Sequence, residues 1–353
     1  MKQLAIFFFT ITFCLTARSQ PGGRGVYAFV NQSVSARIMS MGGGMLAIQD
    51  NDITLPWLNP ALLNKSMDKH GSMNFNTGYS KIKGGNDIKN GYFAYSRNYK
   101  KIGTFSAGLL YMNYGTFNGY DPNGDPTGTF KATDNCLNIS LGRQYKTKWS
   151  YGASLKYVYS VLGEYISNGI GVDLGGIYAD TAQKLTIGLV VKNMGVQFVP
   201  YAGTKRQGMP FEIQVAISKK LKHLPLLYNI VIHDLQSPDF RYVNTNSTSS
   251  NLDANNKPKI QKMTMGDNIL RHFILGGEFN IKSFNLRFGY NHQRRKELAP
   301  EIRRSTTGFC WGVGIKISKF RLSYGSAAYF PGINSNQFSI AFNLADFKRN
   351  KKG

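Results

Sequence analysis

Ser66-Met67-Asp68-Lys69 has the Ser-x-x-Lys spacing in which a lysine activates a serine for acyl transfer. Ser80-Lys81-Ile82-Lys83 matches equally well, and neither is followed by a Ser-Asp-Asn or Lys-Thr-Gly companion, so acyl-enzyme chemistry is set aside. Gly169-Ile170-Gly171-Val172-Asp173-Leu174-Gly175 is one residue off a dinucleotide fingerprint and lies within a strand pattern, whereas that chemistry needs a strand-to-helix turn. Gly42-Gly43-Gly44 lacks the Gly-Lys-Ser or Gly-Lys-Thr that completes a phosphate loop. His70, His223, His233, His272 and His292 show no paired metal-ligand spacing, and no serine is identifiable beside His272 or His292 for a membrane hydrolase. The expectation is a chain with no enzymatic activity, no cofactor and no metal.

One cluster suits binding. Arg294, Arg295, Lys296, Arg303 and Arg304, interrupted by Glu297 and Glu301, form a basic segment that could meet phosphates or an acidic partner, because guanidinium binds phosphate in bidentate fashion. The formal charge of +24 falls to +22 when Lys2 and Arg18 leave with an N-terminal leader, since no acidic residue goes with them. Such a charge attracts polyanions. The cations are spread through strand ends, turns and loops with no basic helix, which points to a lipopolysaccharide-rich surface and away from nucleic acid.

The elements that would position these residues are strands. Segments near 72–80, 91–99, 102–115, 134–145, 149–162, 169–179, 184–195, 210–221, 224–235, 272–281, 284–292, 307–317, 320–330 and 336–344 alternate apolar and small or polar residues. In the twelfth, Phe309, Trp311, Val313, Ile315 and Ile317 share one face, with Cys310, Gly312, Gly314 and Lys316 on the other. In the seventh only Val190 breaks the pattern. Two-residue turns at Lys100-Lys101, Lys222-His223, Lys282-Ser283 and Ser318-Lys319 alternate with long connections at 116–133, 196–209, 236–271 and 293–306. This rhythm predicts an all-β fold, a 14-stranded antiparallel transmembrane β-barrel. A wall that wide encloses more space than one layer of side chains fills, so the bulky face must point outward, into lipid. Tyr92, Tyr111, Trp149, Tyr151, Tyr157, Tyr159, Tyr178 and Tyr290 are read as interfacial girdles on that face. Lys156, Asp173, Lys192, Glu212, Glu278, Arg287, Lys316 and Arg321 fall on the lumen face, where opposite charges can pair and narrow or plug the interior.

The resulting domains are a signal peptide at 1–19, a hatch segment at 20–71, the barrel at 72–345 and a basic tail at 346–353. Cys14 leaves with the signal, and Cys136 and Cys310 fall in strands four and twelve, too far apart round the wall for a disulfide. The hatch carries Gly42 and Gly43, which permit backbone bends, and the Asn59-Pro60 step, which marks a turn. Topology counted from a periplasmic start puts the long loops, including the polar run Asn244 to Asn251, on the cell surface.

The Gly-Gly, Asn-Asp and Asn-Pro-Ala series in the hatch resembles the FadL-like outer-membrane barrels, whose prototype passes long-chain fatty acids. A narrower resemblance runs along the chain. Tyr27-Ala28-Phe29, Ser35-Ala36-Arg37, Asn51-Asp52-Ile53, Asn59-Pro60-Ala61-Leu62, Tyr114-Gly115-Thr116-Phe117, Gly128-Thr129-Phe130, Lys192-Asn193-Met194-Gly195 and His233-Asp234-Leu235 are similar to the PorQ family of the type IX secretion system. That resemblance implies a non-enzymatic outer-membrane barrel that anchors a PorZ-like surface protein beside PorU and PorV, in a complex that processes cargo and joins it to lipopolysaccharide. The broader resemblance implies the alternative, a transporter of hydrophobic small molecules.

Overall fold

The computed structural model describes residues 25–79, 88–238, 264–298, 305–330 and 333–347. The signal peptide, Ser80 to Lys83, the run Asn244 to Asn251, Arg303, Arg304 and the last residues of the basic tail lie outside the described residues. Fourteen strands follow one another as β1 (His70–Tyr79), β2 (Lys89–Tyr99), β3 (Gly103–Tyr120), β4 (Pro126–Tyr145), β5 (Trp149–Leu162), β6 (Tyr165–Asp180) and β7 (Leu185–Val199), then β8 (Glu212–Lys220), β9 (Leu226–Ile232), β10 (Phe273–Ile281), β11 (Phe284–Asn291), β12 (Phe309–Ile317), β13 (Phe320–Phe330) and β14 (Ile333–Asn343). Each pairs antiparallel with the next, and β1 pairs with β14 from His70↔Asn343 onward, so the wall is closed. No described helix is long and apolar enough to cross a membrane.

Period-two alternation sets which side chains face which solvent. Along β5, Trp149, Tyr151, Leu155, Tyr157 and Tyr159 stand exposed, while Ser150, Ser154, Lys156, Val158 and Ser160 are buried. Leu174, Leu189, Phe288 and Trp311 are each about half exposed on the same outer face. A belt of that composition is stable against hydrocarbon and unstable against water, and closure leaves no unpaired strand edge inside the bilayer. The chain is therefore an outer-membrane barrel.

Strands β5 and β13 occupy the expected ranges, and the others shift by a few residues. The largest difference lies in β3 and β4, which continue through most of the expected loop 116–133 by pairing Thr116↔Lys131, Phe117↔Phe130 and Asn118↔Thr129. Gly115 at φ 84° sits in the register shift that bends this hairpin, and the Phe117 and Phe130 rings stack at 5.4 Å. Glycines and asparagines disguised the segment as a loop. Two short helices, α2 (Met265–Arg271) and α3 (His292–Leu298), stand in the other long connections. Tyr92 is a correction: it is buried, edge-on to Trp57 at 5.4 Å, and so belongs to the lumen and not to the lipid girdle.

Every periplasmic turn carries a lysine: Lys100 and Lys101, Lys146 and Lys148, Lys184, Lys222, Lys282 and Lys319. Cys136 and Cys310 are free thiols buried inside the wall. Maleimide should label neither in the folded barrel and both after denaturation without reductant; protection that persists in the denatured chain would contradict this strand order.

Candidate functional site

Residues 25–69 lie in the lumen. Val26 donates its backbone N–H to Gly208 in the β7–β8 connection at the extracellular mouth, and at the other end Met67 accepts from the Ser96 hydroxyl. Between these points the segment circles the inner wall. Ala36 meets Gly325 of β13, Ser40 meets Gly312 of β12, Leu46 meets Gly188 of β7, and Pro60 meets Gly152 of β5. A Cβ at Gly312 would stand 2.6 Å from Ser40 Cβ, and one at Gly152 would stand 2.5 Å from the Pro60 carbonyl carbon. The lumen-facing glycines thus form a ledge on which the hatch backbone rests.

The four expected hatch residues lie along this path in two places, Gly42, followed by Gly43, against β10 and β11, and Asn59 and Pro60 against β4 to β6. Gly42 and Gly43 have φ of 86° and 97°, where L side chains are strained, and a Cβ on Gly42 would lie 2.7 Å from Ile274. Asn59 donates to Leu46 O at 3.0 Å and accepts from Ala61 N at 3.0 Å, capping the short turn Pro60–Leu62. Around them Ile38, Met41, Leu46, Leu55, Trp57 and Leu62 of the hatch form one apolar core with Leu110, Val158, Val190 and Ile274 of the wall. Val190 therefore breaks the strand pattern because it serves this core.

Three buried polar clusters line the interior; the first two tie hatch to wall, and the third lies within the wall. Helix α1 (Ala36–Ser40) starts at Ser35, whose hydroxyl accepts from Ile38 N, and presents Arg37 to three carboxylates: Asp50 at 2.6 Å, Asp52 at 3.2 Å and Glu278 of β10 at 2.6 Å. Glu278 also accepts from Arg287 Nε at 3.0 Å, and Arg287 donates to Ser323 of β13 at 3.1 Å. Burial opposes charge on Arg37, but Asp50, Glu278 and Asp52 outweigh it and raise its pKa well above the ordinary value. Burial likewise pushes Asp52 upward, yet Arg37 and the Thr54 hydrogen bonds leave it lower than a free carboxylate.

In the second cluster Lys156 Nζ lies 2.7 Å from Asp173, 2.8 Å from Asn193 Oδ1 and 5.1 Å from the Trp57 ring centre. Asn193, at φ 56° in an irregularity of the β6–β7 register, reaches Asn31 of the hatch at 2.9 Å. The third gathers Glu212, His233 and Asp234 near the extracellular mouth, with His233 Nδ1 3.0 Å from Asp234 and 3.7 Å from Glu212. Sequence spacing did not reveal this trio, because Glu212 on β8 stands twenty-one residues before the adjacent pair His233 and Asp234 that follows β9. Lys192, 4.0 Å from Glu212, supplies the positive charge there, and Gln214 and Gln236 donate to the carboxylates. Of the eight charges assigned to the lumen, Lys316 is exposed and Arg321 half-buried, because both lie at the periplasmic end beyond the reach of most of the hatch.

The depressed Asp52 pKa fixes a pH dependence. A carboxylate bound more tightly as its anion contributes stability that is present above its unfolded pKa, about 3.9, and lost as pH falls through the lower folded value. With Trp149 and Trp311 replaced by Phe, Trp57 emission should stay constant from pH 7 to 5 and change only below about pH 4. A change between pH 7 and 5 would assign the lock to another group.

The basic segment is partly assembled. Arg294, Arg295 and Lys296 lie on α3, where the Arg294 guanidinium sits 4.2 Å from the Tyr329 ring centre and Arg295 donates to Ser305 O. Lys296 lies 3.1 Å from Asp267 of α2, which also meets His292 and Arg271. Each of the three described cations already has an intramolecular partner. Ser66 is hydrogen-bonded to Asn64 and Lys69 lies 4.0 Å from Asp68, so both members of the Ser-x-x-Lys pattern are engaged elsewhere.

No known protein family matches the sequence, and no curated protein matches it. Solved structures do resemble the fold. The Ralstonia pickettii toluene transporter TbuX is 15% identical with a TM-score of 0.54, covering 89% of this chain and 98% of that one. The Pseudomonas putida toluene transporter TodX is 13% identical with a TM-score of 0.50, covering 88% and 96%. A Pseudomonas aeruginosa FadL homologue is 9% identical with a TM-score of 0.48, covering 89% and 99%. At these identities the likeness concerns architecture alone: this is an outer-membrane barrel with a fold like that of TbuX and TodX.

Proposed function

We propose that the barrel is a membrane-fixed docking platform, without enzymatic activity, for the attachment complex of a type IX secretion system, holding a PorZ-like surface protein beside PorU and PorV. The observation that carries this reading is the lumen: the hatch is packed on the glycine ledge and tied to the wall by buried ions at Arg37–Glu278, and by Lys156 and Asn193. A filled and bound interior suits a scaffold whose work is done by its outer face. The resemblance to the PorQ family supports it further, because Tyr114 to Phe117 and Gly128 to Phe130 build the protruding hairpin, while His233 and Asp234 stand at the mouth. Purification of the barrel from solubilised outer membranes should bring down a surface protein of this complex, and deletion should release that protein into the medium. Charge reversal at Arg294, Arg295, Lys296, Arg303 and Arg304 tests contact with lipopolysaccharide phosphates or an acidic partner face; unchanged surface retention removes that role.

The fold likeness to two toluene transporters, taken alone, favours a second reading, transport of hydrophobic small molecules. The apolar hatch core, with Met41, Met45 and Met67 fully buried, is a deformable lining compatible with such cargo. Impaired uptake of apolar compounds on deletion, with secretion intact, selects transport over docking.

A further inference from the structure

The periplasmic end differs in charge from the extracellular one. Its six turns each contain a lysine and no carboxylate, whereas the extracellular connections mix both signs, with Asp121, Asp125 and Glu164 beside Lys205 and Arg206. Lys146, Lys184 and Lys282 hold φ of 55°, 54° and 52°, a left-handed conformation that glycine or asparagine adopts more cheaply. Lysine at such positions implies that charge is kept against a backbone preference. Lys146 Nζ lies 5.4 Å from the Tyr145 ring centre and Lys319 Nζ 4.8 Å from that of Phe347, so the ammonium groups sit on rings at the edge of the apolar belt. Lys148 does likewise over Tyr178 while pairing with Asp180 at the end of β6.

In one sector the ring deepens into a cavity of about 280 Å³ between the hatch, the β2–β3 turn and the β4–β5 turn. Lys65, Lys100, Arg143 and Lys146 line it, and among the described residues no carboxylate lines it and none of the four cations forms an ion pair. Tyr99 and Ile102, which also line it, are exposed at the level of the lipid.

We propose that the periplasmic rim seats anionic lipid head groups of the inner leaflet, and that the cavity bounded by Lys65, Lys100, Arg143 and Lys146 is a defined site for one such phosphate. A cationic ring running round the whole circumference matches lipid, which surrounds the barrel; a protein partner would favour one sector. Phosphate takes charge-assisted hydrogen bonds from the cations, and acyl chains leave past Tyr99 and Ile102 into the belt.

The full-length barrel, delipidated in detergent and titrated with phosphatidylglycerol or phosphatidylcholine, tests this by native mass spectrometry. Wild type should retain phosphatidylglycerol preferentially, and Lys100→Gln/Arg143→Gln/Lys146→Gln should lose about fivefold in retention for each cation removed. Equal retention of the two lipids, or unchanged retention in the variant, overturns the proposal. Complete displacement of lipid by millimolar inorganic phosphate reduces the site to a simple anion site and also overturns it, as does an oligoglutamate peptide binding as tightly as lipid. Unaltered heat-modifiable migration on gels verifies that the variant folds, and Lys65→Gln, on the hatch side of the cavity, gives a second reading with the turns intact.

Discussion

Replacing Arg37 with alanine should lower the unfolding free energy by about 3–5 kcal/mol and unseat the hatch, the range observed when one partner of a buried ion pair is removed. Arg37 is the cation that Asp50, Asp52 and Glu278 share, at 2.6, 3.2 and 2.6 Å. Without it, Asp50 and Asp52 lose the cation they share, and among the described residues Glu278 retains only Arg287 as an ionic partner. The cost is that of leaving charge buried and uncompensated, which exceeds the net worth of the intact cluster. Urea unfolding in detergent, followed by Trp57 emission in a background lacking Trp149 and Trp311, measures it. Single-channel recording reports the same event as conductance absent from the wild type. A variant with unchanged midpoint and silent bilayers would show that apolar packing alone retains the hatch.

Gly152→Leu should have a comparable effect by steric means. A Cβ there meets Pro60 carbonyl carbon and oxygen at 2.5 Å and Ala61 N at 2.7 Å, and these are backbone atoms that no rotamer change can move aside. Overpacking a filled interior costs about 1–3 kcal/mol when side chains can adjust, so a clash against backbone belongs at or above the top of that range. Residues 59–63 should become protease-sensitive in the folded barrel. Gly176→Leu is the control, since a Cβ at Gly176 has nothing within 4 Å. Equal protection in both variants would refute the ledge.

Much of the wall was legible because strand periodicity is local: alternate residues reveal two faces, and the number of strands decides which face is wet. The failures share a cause. Tyr92 carries the same aromatic signature whether it meets lipid or Trp57, and only the hatch position distinguishes them. Val190 looked like an error in its strand until the apolar core behind it was located. Glycine on the lumen face was visible, but which hatch residue meets which glycine depends on the curvature of the wall. The trio Glu212, His233 and Asp234 was hidden for the same reason, whereas the lumen charges Glu278 and Arg287 hinted at a lock whose hatch member, Arg37, only the structure identifies.

A segment that circles the inside of the wall but precedes it in the chain constrains biogenesis. Ala36 N donates to Ser339 Oγ at 2.8 Å across 303 residues, and Gln337 reaches Ser33 O at 2.7 Å across 304, so the first part translated waits for nearly the last. Contacts that distant form slowly. Once the β1–β14 seam zips, nothing as wide as the folded segment can thread in afterwards, so insertion must precede or accompany that final pairing. The insertase that delivers this polypeptide must therefore accept a sheet already wrapped around its own leader.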